Sequence, residues 1–360
     1  MIATNSASSV RPLVMRCGAF GDMVLVSALI RRLALRFQSP VDVITSGPWS
    51  RPLLAAQPDV GEVFTLRSRH TLYWLSIDQH SLVNWLRQRA PGPVWFADPG
   101  TTGRDLLRRA GIADDWVCEY AALQEFVGEH LVTRMGRLGD LTPSAWKDAP
   151  LVDSLANKPL ETQANLQPAP FRAQLGPWLQ KYGLQGRRLI AIQVGNKRTM
   201  RPWFYRSSAS SKYWPEERWA AVLRGLRSAY PDCDIVLLGV PSESRLNTRI
   251  AALSALDRVH NLADDLPIEI MLPLLEICDS MIAVDTGPAH AAAALGCPTV
   301  ALFGTAIPTL YRPGGITTPA VALQGIIDGQ LNILGITPDQ VVSAWRELTA
   351  KSPSRRSPLR

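Results

Sequence analysis

The chain has 360 residues, with 38 Lys or Arg against 31 Asp or Glu, a formal charge of +7. Apolar residues make up 46% and charged residues 19%, which excludes a disordered chain and suffices for two ordinary cores. The 25 glycines and 28 prolines follow no period, which excludes collagen-like arrays and solenoid repeats.

The start, MIATNSASSVRP, is polar and shows no apolar signal region. No stretch of about 20 apolar residues runs without charge, so no membrane span is expected. Leu13 to Cys17 reads as a short buried strand, followed by a turn with Gly18 and Gly21. Leu25, Leu29, Leu33 and Phe37 then recur at helical spacing, and VDVIT is a second strand. Strand, glycine turn, helix and strand make a βαβ unit and imply a parallel sheet. EVFTL and PVWFAD continue as strands, Leu82 to Arg89 and Arg104 to Ala110 as helices. From Gly136 to Pro170 the pattern weakens, as in a linker.

A second α/β series starts with a helix over Phe171 to Tyr182 and the strand LIAIQV. The helix Trp214 to Ala229, the strand DIVLLG, the helix Glu243 to Leu253 and the strand MIAVD follow. A helix from Ala289 stopped at Gly296, the strand TVALFG and an amphipathic segment from Pro338 complete it. The expected domains are 10–165 and 166–337. A helix over 338–350 is expected to pack back on the first domain, and 351–360 to form a disordered tail.

The five cysteines form no C-x-x-C pair, which fits a reducing compartment and argues against a disulfide framework or zinc site. The five histidines lie far apart in sequence; neither a metal nor a cofactor is expected. The positive charge suits phosphates or an anionic membrane surface. No zinc finger, RNA-binding aromatic signature or long basic helix points to nucleic acid.

In open α/β sheets ligands gather beyond the carboxyl ends of strands, and four such turns stand out. Arg16 to Asp22 places glycines where backbone can approach a ligand, with Asp22 in the first helical turn. Asp22 either acts chemically or only complements the helix dipole. Asp285-Thr286-Gly287-Pro288-Ala289-His290 follows a strand, with Thr286 suited to cap and Pro288 to open a helix. That helix start either holds an anion or is an ordinary capped core helix. Lys212 stands just before a helix, against the dipole, as a diphosphate partner or a plain solvated lysine. The basic loop 195–210 precedes it and is no P-loop. Glu243, after Gly239, either meets ribose hydroxyls or merely starts a helix. Leu72 to Arg89 mixes Tyr73, Trp74 and Trp85 with Arg87 and Arg89. It suits a membrane surface or a core; its imperfect periodicity favours the core.

Together these segments resemble glycosyltransferase family 9, the ADP-heptose:lipopolysaccharide heptosyltransferases. RCGAFGDMVLVSALIRRL, KYWPEERWAAVL with DIVLLGVPSE, DTGPAHAAAALGCPTVALFGTAIP and ITPDQVVSAWREL carry the resemblance, in the family's order. It implies a GT-B fold, two Rossmann-like domains facing each other across a cleft. It implies inverting, metal-independent transfer of heptose from ADP-heptose to a lipid-linked core oligosaccharide. Asp22 would be the general base, with Arg16, Gly18 and Gly21 on the acceptor side. Lys212 and residues 286–290 would hold the diphosphate, Asp285 would position donor groups, and Glu243 beside Gly239 would bind the ribose. Another nucleotide sugar, a protein acceptor, or a binding protein without catalysis are the alternatives. The expected location is the cytoplasm, with peripheral contact at the inner face of the inner membrane.

Overall fold

A computed structural model describes residues 10–147, 163–196 and 212–352. Two compact units divide the chain: Met1–Val127 with Val132–Thr162, and Gly128–Leu131 with Gln163–Arg360. The break thus falls three residues before the expected one, because Gln163 and Ala164 pair with the backbone of Gly315 and Gly314.

The first unit is built on β1 (Leu13–Met15), β2 (Val41–Ser46), β3 (Val60–Leu66), β4 (Val94–Phe96) and β5 (Val117–Glu119). They form one parallel sheet in the order β3-β2-β1-β4-β5. The second carries β6 (Arg188–Gln193), β7 (Cys233–Leu237), β8 (Val259–Asn261), β9 (Ser280–Val284), β10 (Thr299–Phe303) and β11 (Ala320–Gln324). Their order is β11-β10-β9-β6-β7-β8, again all parallel. Most central strands are apolar on both faces, because helices cover each side. In each unit the chain reverses its direction of travel across the sheet, between β1 and β4 and between β6 and β9. These are the switch points at which ligands bind in such sheets.

Two expectations are corrected. The supposed linker, Gly136 to Pro170, takes up the second half of a helix, Leu131–Asp140. Its small Gly139 lies against Arg32 of the helix Ser27–Phe37, and Trp95 donates to the Leu138 carbonyl. Leu131, Val132, Met135 and Leu138 lie on one buried face at helical spacing, but Gly136 and Gly139 read in sequence as breaks. The helix Pro338–Ala350 packs inside the second unit, not on the first. A Thr337–Gln340 capping box starts it, Val342 fills the space beside Gly225, and Trp345 donates to Ser280 Oγ at 2.8 Å. The expected disordered tail is helix-capped at Lys351, and 353–360 lie outside the described residues. Among the described residues no helix is long and apolar enough to cross a membrane.

Candidate active site

In the first unit, the turn after β1 carries Arg16 and Gly18, and Gly21 and Asp22 lie in the first turn of the helix Phe20–Leu25. Asp22 Oδ2 accepts the Ala19 amide at 2.8 Å, so the carboxylate does cap its helix. Its Oδ1 faces the Arg16 guanidinium at 3.2 Å, and the side chain stays partly exposed. A Cβ on Gly18 would lie 2.5 Å from that of Asp22, so only glycine fits this turn. Arg16 is buried; it donates to the Ala97 carbonyl and approaches Asp98 at 3.7 Å.

Asp98 is the residue the sequence did not flag. It is fully buried at the end of β4, accepts the Cys17 amide and pairs with Arg69 at 2.7 Å. It lies across the switch point from β1, and so balances the guanidinium that faces Asp22. Its only sequence signal is an acid directly after a strand.

In the second unit, the turn after β9 brings Lys212, Asp285 and His290 together. Lys212 Nζ donates to the Asp285 main-chain carbonyl at 2.7 Å and pairs with its carboxylate at 2.7 Å. That uses two of the three ammonium donors and leaves one for a ligand. His290 Nε2 stands 3.7 Å from the other carboxylate oxygen, while its buried Nδ1 has no partner. Burial alone would raise the Asp285 carboxyl; His290 and Lys212 outweigh it and hold it at about 2. The site is therefore a fixed carboxylate flanked by donors.

Thr286 sits at the N-cap position, yet its hydroxyl donates to the Val284 carbonyl and leaves the helix uncapped by any side chain. Thr286 is thus not the cap expected. Pro288 has no amide proton, so the amides of Gly287 and Ala289 open the helix Gly287–Ala294 without a partner among the described hydrogen bonds. Unsatisfied amides at a helix start favour an anion.

Glu243 and Gly239 lie beyond β7, apart from this group. The Glu243 carboxylate is buried, accepts the Val240 amide at 2.9 Å and faces Gln193 Nε2 at 3.3 Å. Burial raises its proton affinity. Gln193 Oε1 is buried without a partner, a second polar atom awaiting a donor. Gln193 ends β6 and escaped the sequence reading. Ser211 and most of the basic loop, 197–211, lie outside the described residues.

His130 was also unforeseen. The segment Gly128–Leu131 joins the second unit, where His130 Nε2 lies 3.0 Å from the Arg312 carbonyl. Burial pushes this imidazole down to about 4. An unfolded histidine takes a proton below about 6.5. The unfolded chain therefore binds more protons between those values, and stability falls as pH drops from about 6.5 to about 4. The contribution is roughly 3 kcal/mol. Asp285 acts in the same direction in a lower window, below its ordinary value near 3.8 and down to about 2. Urea unfolding of His130→Gln should lose the upper window and keep the lower one; an unchanged profile between pH 6.5 and 4 refutes the assignment.

Two all-parallel doubly wound units, each with polar groups at its switch point, make up the architecture of the GT-B fold. The model of glycosyltransferase family 9 (heptosyltransferase) matches residues 185–325 of this chain. It is 25% identical over 309 residues to lipopolysaccharide heptosyltransferase 2 of Salmonella typhimurium, covering 81% of this chain and 82% of that protein. The solved structure of the Escherichia coli ADP-heptose lipopolysaccharide heptosyltransferase II matches with a TM-score of 0.70 at 20% identity, covering 95% of this chain and 99% of that one. The Escherichia coli heptosyltransferase WaaC with ADP matches at 0.68 and 18% identity, covering 94% of this chain and 100% of that one.

Proposed function

We propose that the chain transfers a heptose from ADP-heptose to a lipid-linked lipopolysaccharide core sugar, with inversion at the anomeric carbon. The observation that carries this reading is the Lys212–Asp285–His290 cluster beside two open helix amides, a cradle suited to a diphosphate. The names of the relatives support the heptose and the lipopolysaccharide, and the ADP in the WaaC structure supports the nucleotide. Glu243 and Gln193 take the ribose.

The reaction needs one base and one stabilised leaving group. Asp22 takes the proton of the acceptor hydroxyl as its oxygen attacks the anomeric carbon. The bond from that carbon to the phosphate oxygen breaks, and its electron pair leaves with ADP. The new charge is met by Lys212 and by the Gly287 and Ala289 amides, dipoles already in place before reaction. Lys212 thus does the work a metal ion does in other diphosphate sites. Arg16 and Gly18 keep Asp22 aimed outward on the acceptor side. The enzyme works in the cytoplasm.

Incubation with ADP-heptose and a panel of truncated lipid-linked cores tests the reading by mass. One acceptor should gain a single heptose. Gain from a different nucleotide sugar, or gain on a protein, replaces the substrate; ADP binding without any gain in mass leaves a binding protein.

A further inference from the structure

The run from Arg67 to Ile77 leaves β3 and enters the helix Ile77–Gln88 through a tight turn at Tyr73–Leu75. The sequence favoured core packing here, and the structure corrects that. Leu72 is 59% exposed, Trp74 71%, Leu75 59% and Ile77 85%. The more distant members of the stretch do pack: Trp85 lies against Phe64, and Arg89 is bound to Asp42.

The turn is held from beneath. Tyr73 stacks on His80 at 4.1 Å and under the Arg109 guanidinium at 4.4 Å. Ser76 caps the following helix by accepting the Gln79 amide. Four large apolar side chains are therefore displayed by an anchored turn. A contiguous apolar patch of this kind marks an interaction surface.

Charge selects the partner. Residues 67–77 read RSRHTLYWLSI, with no acid; Arg69 is held by the buried Asp98, which leaves Arg67 as the exposed arginine of the run. The next acid, Asp78, is engaged internally by Ser76 Oγ and the Arg67 amide. Exposed Arg87 adds a further cation, its guanidinium on the Arg109 carbonyl. A tryptophan and aliphatic side chains with the exposed cations Arg67 and Arg87 on the same stretch suit the headgroup boundary of an anionic bilayer. An apolar protein face would have no use for the cations.

We propose that this turn is a membrane-docking surface: Leu72, Trp74, Leu75 and Ile77 enter the headgroup layer while the exposed Arg67 and Arg87 meet lipid phosphates. This goes beyond the transferase reading and needs neither donor nor acceptor, so the two stand or fall separately.

The test is sedimentation of the full chain with phosphatidylcholine vesicles, with and without phosphatidylglycerol. Binding should require phosphatidylglycerol and weaken with salt. The double substitution Trp74→Ser, Ile77→Ser should lower partitioning by at least about tenfold, with an unchanged melting temperature because both side chains are exposed. Failure of the parent chain to bind the anionic vesicles overturns the proposal. So does equal binding by the double variant, or loss in that variant of a self-association seen by sedimentation equilibrium while vesicle binding persists.

Discussion

Asp22→Asn should lower kcat by about 10²–10⁴-fold, the range of a positioned general base, and leave ADP affinity unchanged. An amide can still accept the Ala19 proton that caps the helix, so the turn persists. It cannot take a proton from a sugar hydroxyl at neutral pH. Arg16 loses one partner but keeps the Ala97 carbonyl and Asp98, so folding changes little. Mass-resolved turnover and calorimetry with ADP separate the two effects. Turnover within about threefold of the parent would remove Asp22 as base, since no proton acceptor of comparable strength would then have been lost.

Lys212→Ala should act on the other half of the reaction. The ammonium is the partner of a largely buried carboxylate and also binds the main chain at the end of β9. Its loss leaves Asp285 with His290 alone and removes the cation from the cradle. A lost hydrogen bond to a charged group is worth about 1.5–3 kcal/mol, so ADP should bind about tenfold to a hundredfold more weakly. Calorimetry reads this directly, and an unchanged Kd takes Lys212 out of the diphosphate site. A fall in melting temperature should accompany it, because a buried carboxylate has lost its cation.

Much of the candidate site was legible because its residues sit where strand turns into helix, and glycine and proline punctuate those points. Gly18, Gly21 and Asp22 after one strand, and Asp285 to His290 after another, are visible on that ground alone. Asp98 was not, because its partners Arg16 and Cys17 stand about 81 positions away in the chain. Gln193 meets Glu243 across 50 positions, and a glutamine at a strand end carries no signal by itself. Thr286 illustrates the opposite error. Its residue type suits a cap, but the conformation it adopts turns the hydroxyl back to Val284.

Composition and periodicity by themselves determined two α/β series, their parallel strands and the polar turns at the strand ends, because burial on both faces writes continuous apolar runs and turn residues mark the boundaries. Only the tertiary structure decided which strands are neighbours. Neighbourhood in a doubly wound sheet brings distant charges such as Arg16 and Asp98 together, and no local pattern encodes it. The fold likewise decided that Trp74 and Ile77 face outward and that the last helix joins the second unit. An apolar side chain reads the same in sequence whether its neighbour is a core or a lipid, and only packing tells the two apart.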